Sequence, residues 1–271
     1  MSPSFFTKIF SERGALRQSD RYRDEYIEAF VAKWDELIDW DRRAAAEGSF
    51  FIDALKERGA KTVLDVATGT GFHSIRLKRS GFDVTSADGS ERMLERAEAN
   101  GLSLGQALKA VHADWRWLSS RVEGPFDALI CLGNSFTHLF DENGRRQALA
   151  EYYKVLKPGG ILILDQRNYD ALLDNGAKPS QKFYYCGKDV RARPIHVDDA
   201  VAKFRYEFSD GAVFHLDMFP LRKDYVRRLL AEAGFGNIQT FGDFKTLFHE
   251  AEPDFFIHLA EKEMRRTHRQ A

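Results

Sequence analysis

Apolar residues follow two different periods along this chain, and the change between them predicts where helices and strands lie. Between residues 21 and 58 they recur at helical spacing among many charged residues, which predicts a helical N-terminal extension. From residue 62 onward, short apolar runs alternate with stretches that are apolar on one helical face. Strands that alternate with helices are typical of a parallel sheet covered by helices on both faces. We therefore predict the α/β class.

The strands predicted in this region run over residues 62–66, 82–88, 108–113, 126–132 and 161–165. The helices between them are predicted at residues 72–79, through Met93 to about Asn100, and at residues 144–156. The last strand is nearly continuous in apolar character. This is typical of a central strand that is buried on both faces.

After Asp165 the alternation of strands and helices ends. Short strands are predicted at residues 183–185, 201–208 and 213–220, with Asp210-Gly211 as a hairpin turn, so this part forms a small antiparallel lobe. A helix at residues 221–233 and strands at 237–241 and 255–260 follow. The predicted organisation is an N-terminal helical extension (1–58), a Rossmann-like core (59–170), the antiparallel lobe (171–220) and a segment that completes the core sheet (221–271).

Composition narrows the class of protein without naming a function. The 271 residues are 44% hydrophobic and 30% charged, which is ordinary for a globular protein. The chain has 40 basic and 41 acidic residues. Its net charge is therefore close to zero, and no overall electrostatic field favours nucleic acid or an anionic membrane as a partner. No apolar run approaches the roughly 20 residues that cross a bilayer, and the first ten residues lack a signal-peptide pattern. We expect a cytoplasmic protein whose oligomeric state the sequence leaves open, with a monomer favoured.

The two cysteines, Cys131 and Cys186, are predicted to be reduced thiols rather than a disulfide. Neither stands in a spacing with other cysteines or histidines that is typical of a metal site. We therefore expect no metal.

A glycine turn follows the first predicted strand, in the stretch Asp65-Val66-Ala67-Thr68-Gly69-Thr70-Gly71. A strand that breaks into glycines and then opens a helix presents backbone N–H groups to a nucleotide-like ligand. The match to the dinucleotide pattern G-x-G-x-x-G is weak, because Ser74 stands where the third glycine belongs. Asp65, four residues before Gly69, favours a ligand with a cationic amino-acid end. The turn therefore predicts S-adenosylmethionine as cofactor.

Polar residues close the next two strands, at the sheet edge where ligands of such folds collect. Asp88 is placed to accept hydrogen bonds from ribose hydroxyls; the alternative is a solvated aspartate in a turn. Asp114-Trp115 combines an acceptor with a flat apolar ring, which suits an adenine amino group and ring. The alternative for Trp115 is a core position.

The fourth and fifth strands end in the residues that we predict for the reacting centre. Gly133 lets its carbonyl face a ligand, and Asn134 offers both an acceptor and a donor. His138 is either structural or part of the site lining. Arg167 presents a planar fork for a substrate carboxylate, and its alternative is to pair with Asp165 or Asp170. The tyrosines near residues 184, 185 and 206 either form the lobe core or orient a small zwitterion.

Several stretches resemble one family closely. They are residues 65–71 (DVATGTG), 130–139 (ICLGNSFTHL), 167–170 (RNYD), 184–185 (YY) and 242–244 (GDF). Together they are similar to the glycine N-methyltransferases, over about residues 22 to 259. The stretch 26–40 (YIEAFVAKWDELIDW) resembles the bacterial and algal glycine/sarcosine N-methyltransferases of betaine synthesis more than the animal glycine enzyme.

This resemblance implies a class I methyltransferase fold with a mostly parallel seven-stranded sheet. It also implies a role for each matching position. The residues that match contacts to S-adenosylmethionine are Tyr26, Trp34, Arg43, Ala67, Gly69, Asp88, Asp114, Trp115, Leu132 and His138. The residues that match the amino-acid substrate site are Asn134, Arg167, Tyr185 and Tyr206. Asp114 departs from the animal enzyme, which has asparagine there.

The implied reaction is in-line attack by the neutral amine of glycine, and then of sarcosine, on the cofactor's methyl group. Gly133, Asn134, His138 and Arg167 would surround the substrate, and His138 is the candidate if a general base exists. The alternatives are a methyltransferase for another small amine such as dimethylglycine or guanidinoacetate, a nicotinamide-dependent dehydrogenase, and a non-catalytic S-adenosylmethionine-binding protein. Ser74 and the Asp114-Trp115 pair count against the dehydrogenase.

Overall fold

A seven-stranded sheet forms the centre of the computed structural model, which describes residues 20–176, 184–185, 187–250 and 252–264. Its strands lie in the order β3-β2-β1-β4-β5-β10-β9. Their bounds are β1 Thr62–Asp65, β2 Asp83–Asp88, β3 Lys109–His112, β4 Phe126–Cys131, β5 Leu156–Arg167, β9 Phe235–Gly242 and β10 Phe255–Lys262. The paired neighbours among β1 to β5 are parallel, whereas β10 runs antiparallel to both β5 and β9. The predicted α/β fold is confirmed.

Helices cover both faces of this sheet. They are α6 Phe72–Arg79, α7 Glu91–Ser103, α8 Glu142–Val155, α9 Tyr169–Asn175 and α10 Lys223–Glu232. One apolar cluster packs α8 and α10 against the sheet, and a second packs α6 and the preceding segment against the other face. Strands β4 and β5 lie between these layers. This explains why their sequences are almost continuously apolar.

The described part of the N-terminal extension folds as five short helices. They are α1 Tyr22–Glu25, α2 Glu28–Ala32, α3 Trp34–Ile38, α4 Trp40–Glu47 and α5 Phe50–Glu57. Ile27 is extended between the first two, and Asp39 adopts a left-handed conformation (φ 52°) between α3 and α4. Asp39 also accepts a hydrogen bond from the Arg42 backbone N–H, which caps α4. These breaks bend the extension over the sheet edge.

The antiparallel lobe contains β6 Val190–Val197, β7 Ala202–Phe208 and β8 Val213–Met218. The strand predicted at residues 183–185 is wrong for Tyr184 and Tyr185, which lie outside any strand, and Phe183 is outside the described residues. Strand β6 was missed because much of it is exposed, so its sequence lacks an apolar run. The buried rings of Tyr184 and Tyr185 instead join the apolar cluster that connects lobe and extension.

The structure also bears on the cysteines, on membrane-spanning helices and on metal sites. Cys131 is a buried free thiol, and Cys186 lies outside the described residues. Within the described residues no helix is long and apolar enough to cross a membrane, and no cluster of side chains suits a metal ion. The predicted segment boundaries after residues 58, 170 and 220 stay predictions.

Candidate cofactor and substrate site

A cavity opens at the carboxyl ends of β1, β2 and β4, beneath the N-terminal helices. The space between its walls is about 950 Å³, a figure that includes the part open to solvent. Most residues predicted for the site line this cavity: Tyr26, Trp34, Arg43, Ala67, Gly69, Asp88, Asp114, Trp115, Leu132, Gly133, His138 and Tyr185. Asn134, Arg167 and Tyr206 are buried and are not among its lining residues.

The glycine turn forms one wall of the cavity. Gly71 has φ +100°, and a β-carbon there would lie 3.2 Å from the Ile75 side chain and 3.3 Å from that of Ala97. A side chain here would press on Ile75 and Ala97 and would strain a backbone that is left-handed, so glycine suits this position. Gly69 also has a positive φ, and its N–H donates to Asp88 Oδ2 at 2.8 Å. The turn is thereby tied to the end of β2.

Asp65 is buried and is not among the residues that line the cavity, so the interpretation that it favours the cofactor's cationic end stays a prediction. It is 1% exposed and accepts hydrogen bonds from Ser74 Oγ at 2.8 Å and from the Ala67 N–H at 3.3 Å. Ser86 Oγ in turn donates to Ser74 Oγ. Burial raises the pKa of Asp65 to about 6. Asp65 and Ser74 therefore fix the shape of the glycine turn from below.

Asp88 lines the cavity at the end of β2. Its two oxygens accept backbone N–H groups of Gly69 and Ser90, at 2.8 and 2.9 Å. Burial raises its pKa to about 6, so it is mostly ionised at neutral pH. A carboxylate offers about four acceptor positions, which leaves capacity for ligand hydroxyls.

Asp114 and Trp115 also line the cavity, but each is anchored to the protein. Trp115 Nε1 donates to the Val66 carbonyl at 2.5 Å, which fixes the indole beside the glycine turn. Asp114 binds the Arg116 guanidinium through both oxygens, and Arg116 also reaches Asp20 at 2.8 Å. Arg116 was not predicted. Only the fold brings its partner in the N-terminal extension close.

Arg43, from the N-terminal extension, also lines the cavity. Its guanidinium is buried over the Phe72 and Tyr184 rings, at 4.9 and 4.5 Å from their centroids. Nε donates to Glu47 at 2.7 Å, whereas the buried Nη2 has no hydrogen-bond partner among the described residues. An unpaired buried donor is costly, so this nitrogen is suited to a ligand carboxylate.

His138 lines the cavity, and its Nε2 lies 2.9 Å from the Tyr26 hydroxyl. Burial lowers its pKa to about 4. The imidazole is therefore neutral near pH 7, and its hydrogen bond ties the wall to the N-terminal extension.

Gly133 and Asn134 form a turn of two left-handed residues, with φ of 84° and 63°. Both N–H groups donate to the Asp165 carboxylate, at 2.9 and 2.6 Å. The Asn134 side chain points away from the cavity lining: Nδ2 donates to the Tyr169 hydroxyl at 2.9 Å, and Oδ1 accepts the Arg167 N–H at 2.8 Å. Asn134 therefore joins the ends of β4 and β5.

Arg167 is 3% exposed in a cage of aromatic rings. Its guanidinium carbon lies 4.7 Å from the centroid of Phe255 and 5.6 Å from that of Tyr185, which itself lines the cavity. Nε and Nη1 have no hydrogen-bond partner among the described residues. The hydroxyl of Tyr206, also in this region, is equally without one.

The alternative partners of Arg167 are occupied elsewhere. Asp165 accepts the two N–H groups of the Gly133 turn. Asp170 lies 3.2 Å from Arg222 and accepts the Lys223 N–H. Sequence reasoning considered Asp165 only as a partner for Arg167, although an acid at the end of a central strand signals a group that receives backbone N–H donors from the neighbouring strand end.

Comparisons with known proteins place the chain in a family. Residues 63–160 match the family model described as a methyltransferase domain. The chain is 59% identical over 250 residues to a glycine/sarcosine N-methyltransferase of Halorhodospira halochloris, covering 92% of this chain and 93% of the relative. It is 60% identical to one of Aphanothece halophytica, covering 92% and 94%.

A solved structure shows the same fold at lower identity. An S-adenosylmethionine-dependent methyltransferase from Clostridium acetobutylicum superposes with a TM-score of 0.68 at 20% identity, covering 87% of this chain and 98% of that one. The predicted fold class is confirmed by this likeness as well.

Proposed function

This chain belongs to the glycine/sarcosine N-methyltransferase family, and from that premise we propose that it methylates glycine to sarcosine and sarcosine to N,N-dimethylglycine, using S-adenosylmethionine. These are the early steps of betaine synthesis. The observation that supports the assignment of the substrate is the buried Arg167 guanidinium, whose Nε and Nη1 have no hydrogen-bond partner among the described residues and could bind a carboxylate.

The residues of the cavity fit the parts of S-adenosylmethionine. Arg43 would hold the carboxylate with its unpaired Nη2, and Asp88 would accept the ribose hydroxyls. Asp114 and Trp115 would receive adenine. The further residues that we propose to contact the cofactor are Tyr26, Trp34, Ala67, Gly69, Leu132 and His138.

When bound, S-adenosylmethionine would supply a methyl group on a sulfonium, which the free amine of the substrate takes up by direct displacement. Arg167 would bind the substrate carboxylate through two parallel hydrogen bonds and so aim the amine toward the cavity. The hydroxyls of Tyr185 and Tyr206 would contact the same carboxylate. Gly133 would accept from the amine through its carbonyl, while Asn134 holds the turn in place. Positioning and exclusion of water would supply most of the catalysis.

His138 is not expected to act as a general base. Its pKa of about 4 makes it too weak to deprotonate an ammonium group. In the variant His138→Gln, we expect kcat/KM for glycine to fall, but its rise with pH between 6 and 9 to keep the slope of the wild type, because that rise comes from the substrate's own ammonium. Steady-state kinetics at several pH values would measure this.

The exposed His196 provides the control, since His196→Gln should leave both rate and slope unchanged. A pH dependence that disappears in His138→Gln alone would instead make His138 the base.

Mass spectrometry of the products tests the proposed function directly. Incubation with S-adenosylmethionine and glycine should yield sarcosine and dimethylglycine, each with one equivalent of S-adenosylhomocysteine per methyl group. Parallel reactions with dimethylglycine and guanidinoacetate test the other small amines. If no methylated glycine forms while another amine is methylated, the substrate assignment is wrong.

A further inference from the structure

Glu47 is a buried carboxylate at the end of α4 that no proposed ligand contact uses. It is 3% exposed and lies among three basic side chains. Arg43 Nε donates to it at 2.7 Å, Arg76 Nη1 donates at 2.8 Å, and His73 Nε2 lies 3.2 Å from each of its oxygens. Two helices, α4 and α6, therefore meet at one acid beside the cavity.

The charges in this cluster are well defined. Burial alone would raise the pKa of Glu47, but the side chains that face it, His73 through a ring N–H and Arg43 through its charge and hydrogen bond, lower that pKa to about 2, so the carboxylate is ionised. Burial lowers the pKa of His73, which is therefore neutral near pH 7. Two guanidinium groups face one carboxylate, and the cluster carries one net positive charge at the end of the cavity.

The contacts of Arg43 determine how its guanidinium is oriented. Glu47 occupies Nε, and the rings of Phe72 and Tyr184 flank the guanidinium. The buried Nη2 of the same guanidinium has no hydrogen-bond partner among the described residues. Without the bond to Nε, the side chain would lose the contact that fixes its rotation.

We propose that Glu47 is a positioning residue that orients Arg43 toward the carboxylate of the cofactor's methionine part. The proposal rests on the function proposed above and extends it to a residue outside the ligand contacts. It differs from a purely electrostatic account, in which Glu47 only weakens the attraction of Arg43 and Arg76 for an anion.

Binding of two ligands separates these accounts, measured by calorimetry on the full chain. S-adenosylhomocysteine contains the carboxylate, whereas 5′-methylthioadenosine keeps the adenosine and sulfur but lacks the amino-acid end. In Glu47→Gln, an amide N–H₂ replaces one acceptor and faces a basic side chain. We expect S-adenosylhomocysteine to bind at least about tenfold more weakly, with 5′-methylthioadenosine within about threefold of wild type.

Arg76→Gln is the complementary variant, because it removes a positive charge but leaves the Arg43 to Glu47 bond in place. Orientation by Glu47 predicts nearly unchanged S-adenosylhomocysteine affinity, whereas the electrostatic account predicts weaker binding. Arg76 is partly exposed, so this variant also supplies a test if Glu47→Gln does not fold. Glu142→Gln on α8 is a matched control, since Glu142 and Arg146 form an exposed pair with the same spacing.

The outcomes are distinct. Selective loss of S-adenosylhomocysteine binding in Glu47→Gln, with Arg76→Gln near wild type, supports the proposal. Unchanged or tighter binding in Glu47→Gln, or a loss in Arg76→Gln at least as large, overturns it. A wild-type protein that binds neither ligand would instead contradict the proposed function.

Discussion

Replacing Arg167 by lysine is expected to lower kcat/KM for glycine by about 100-fold or more, because a buried two-pronged contact to a carboxylate is lost. The guanidinium is held among Phe204, Phe255 and Tyr185, where a flexible ammonium group cannot present two parallel donors. Most of the loss should appear in KM for glycine. The affinity for S-adenosylhomocysteine should stay close to wild type, since Arg167 is not among the residues that line the cavity.

Steady-state kinetics with glycine and calorimetry with S-adenosylhomocysteine would check this pair of effects. Arg205→Lys in β7 is a suitable control, because Arg205 is partly exposed and pairs with Glu207 at 2.7 Å. Unchanged glycine kinetics in Arg167→Lys would remove this residue from the substrate site.

The variant Asp165→Asn is expected to lower kcat for glycine by about 100-fold, because it breaks the turn that presents the Gly133 carbonyl. The native carboxylate accepts the N–H groups of Gly133 and Asn134 with separate oxygens, at 2.9 and 2.6 Å. In asparagine, an NH₂ group replaces one of those oxygens. One of the two backbone N–H groups then faces a donor instead of an acceptor. Two residues with positive φ then lose the bond that holds them.

Rate, cofactor affinity and melting temperature should be measured together for this variant. A small change in melting temperature with a large fall in kcat identifies a positioning role, whereas proportionate losses in all three identify a structural one. Asp170→Asn is the matched control: it lies five residues further on and binds Arg222 and the Lys223 N–H away from the cavity. Wild-type kcat in Asp165→Asn would contradict the expected role of the turn.

Local patterns were sufficient for the elements that depend on neighbours in sequence. Helix α6 is observed at Phe72–Arg79, as predicted, because its apolar face and the glycines around it are local signals. Strand β4 agrees to within one residue for the same reason. Strand β6 was missed because its half-exposed residues show no apolar run, and its formation depends on pairing with β7.

The sequence by itself determined the alternating strands and helices, the glycine turn and, through the resemblance, the set of residues to inspect. It did not determine which of them face the cavity. Asp65 was expected to meet the ligand and lies beneath the turn, while Glu47 was not considered and lies beside Arg43.

Arg43 and Glu47 are neighbours on one helix, but only the tertiary structure brings Arg76 to them from a second helix, and Asp165 to the turn that follows another strand. The physical reason is that a buried charge is costly unless it is paired or hydrogen-bonded. Many of the groups that pair with it come from segments far apart in the chain, which only packing brings together.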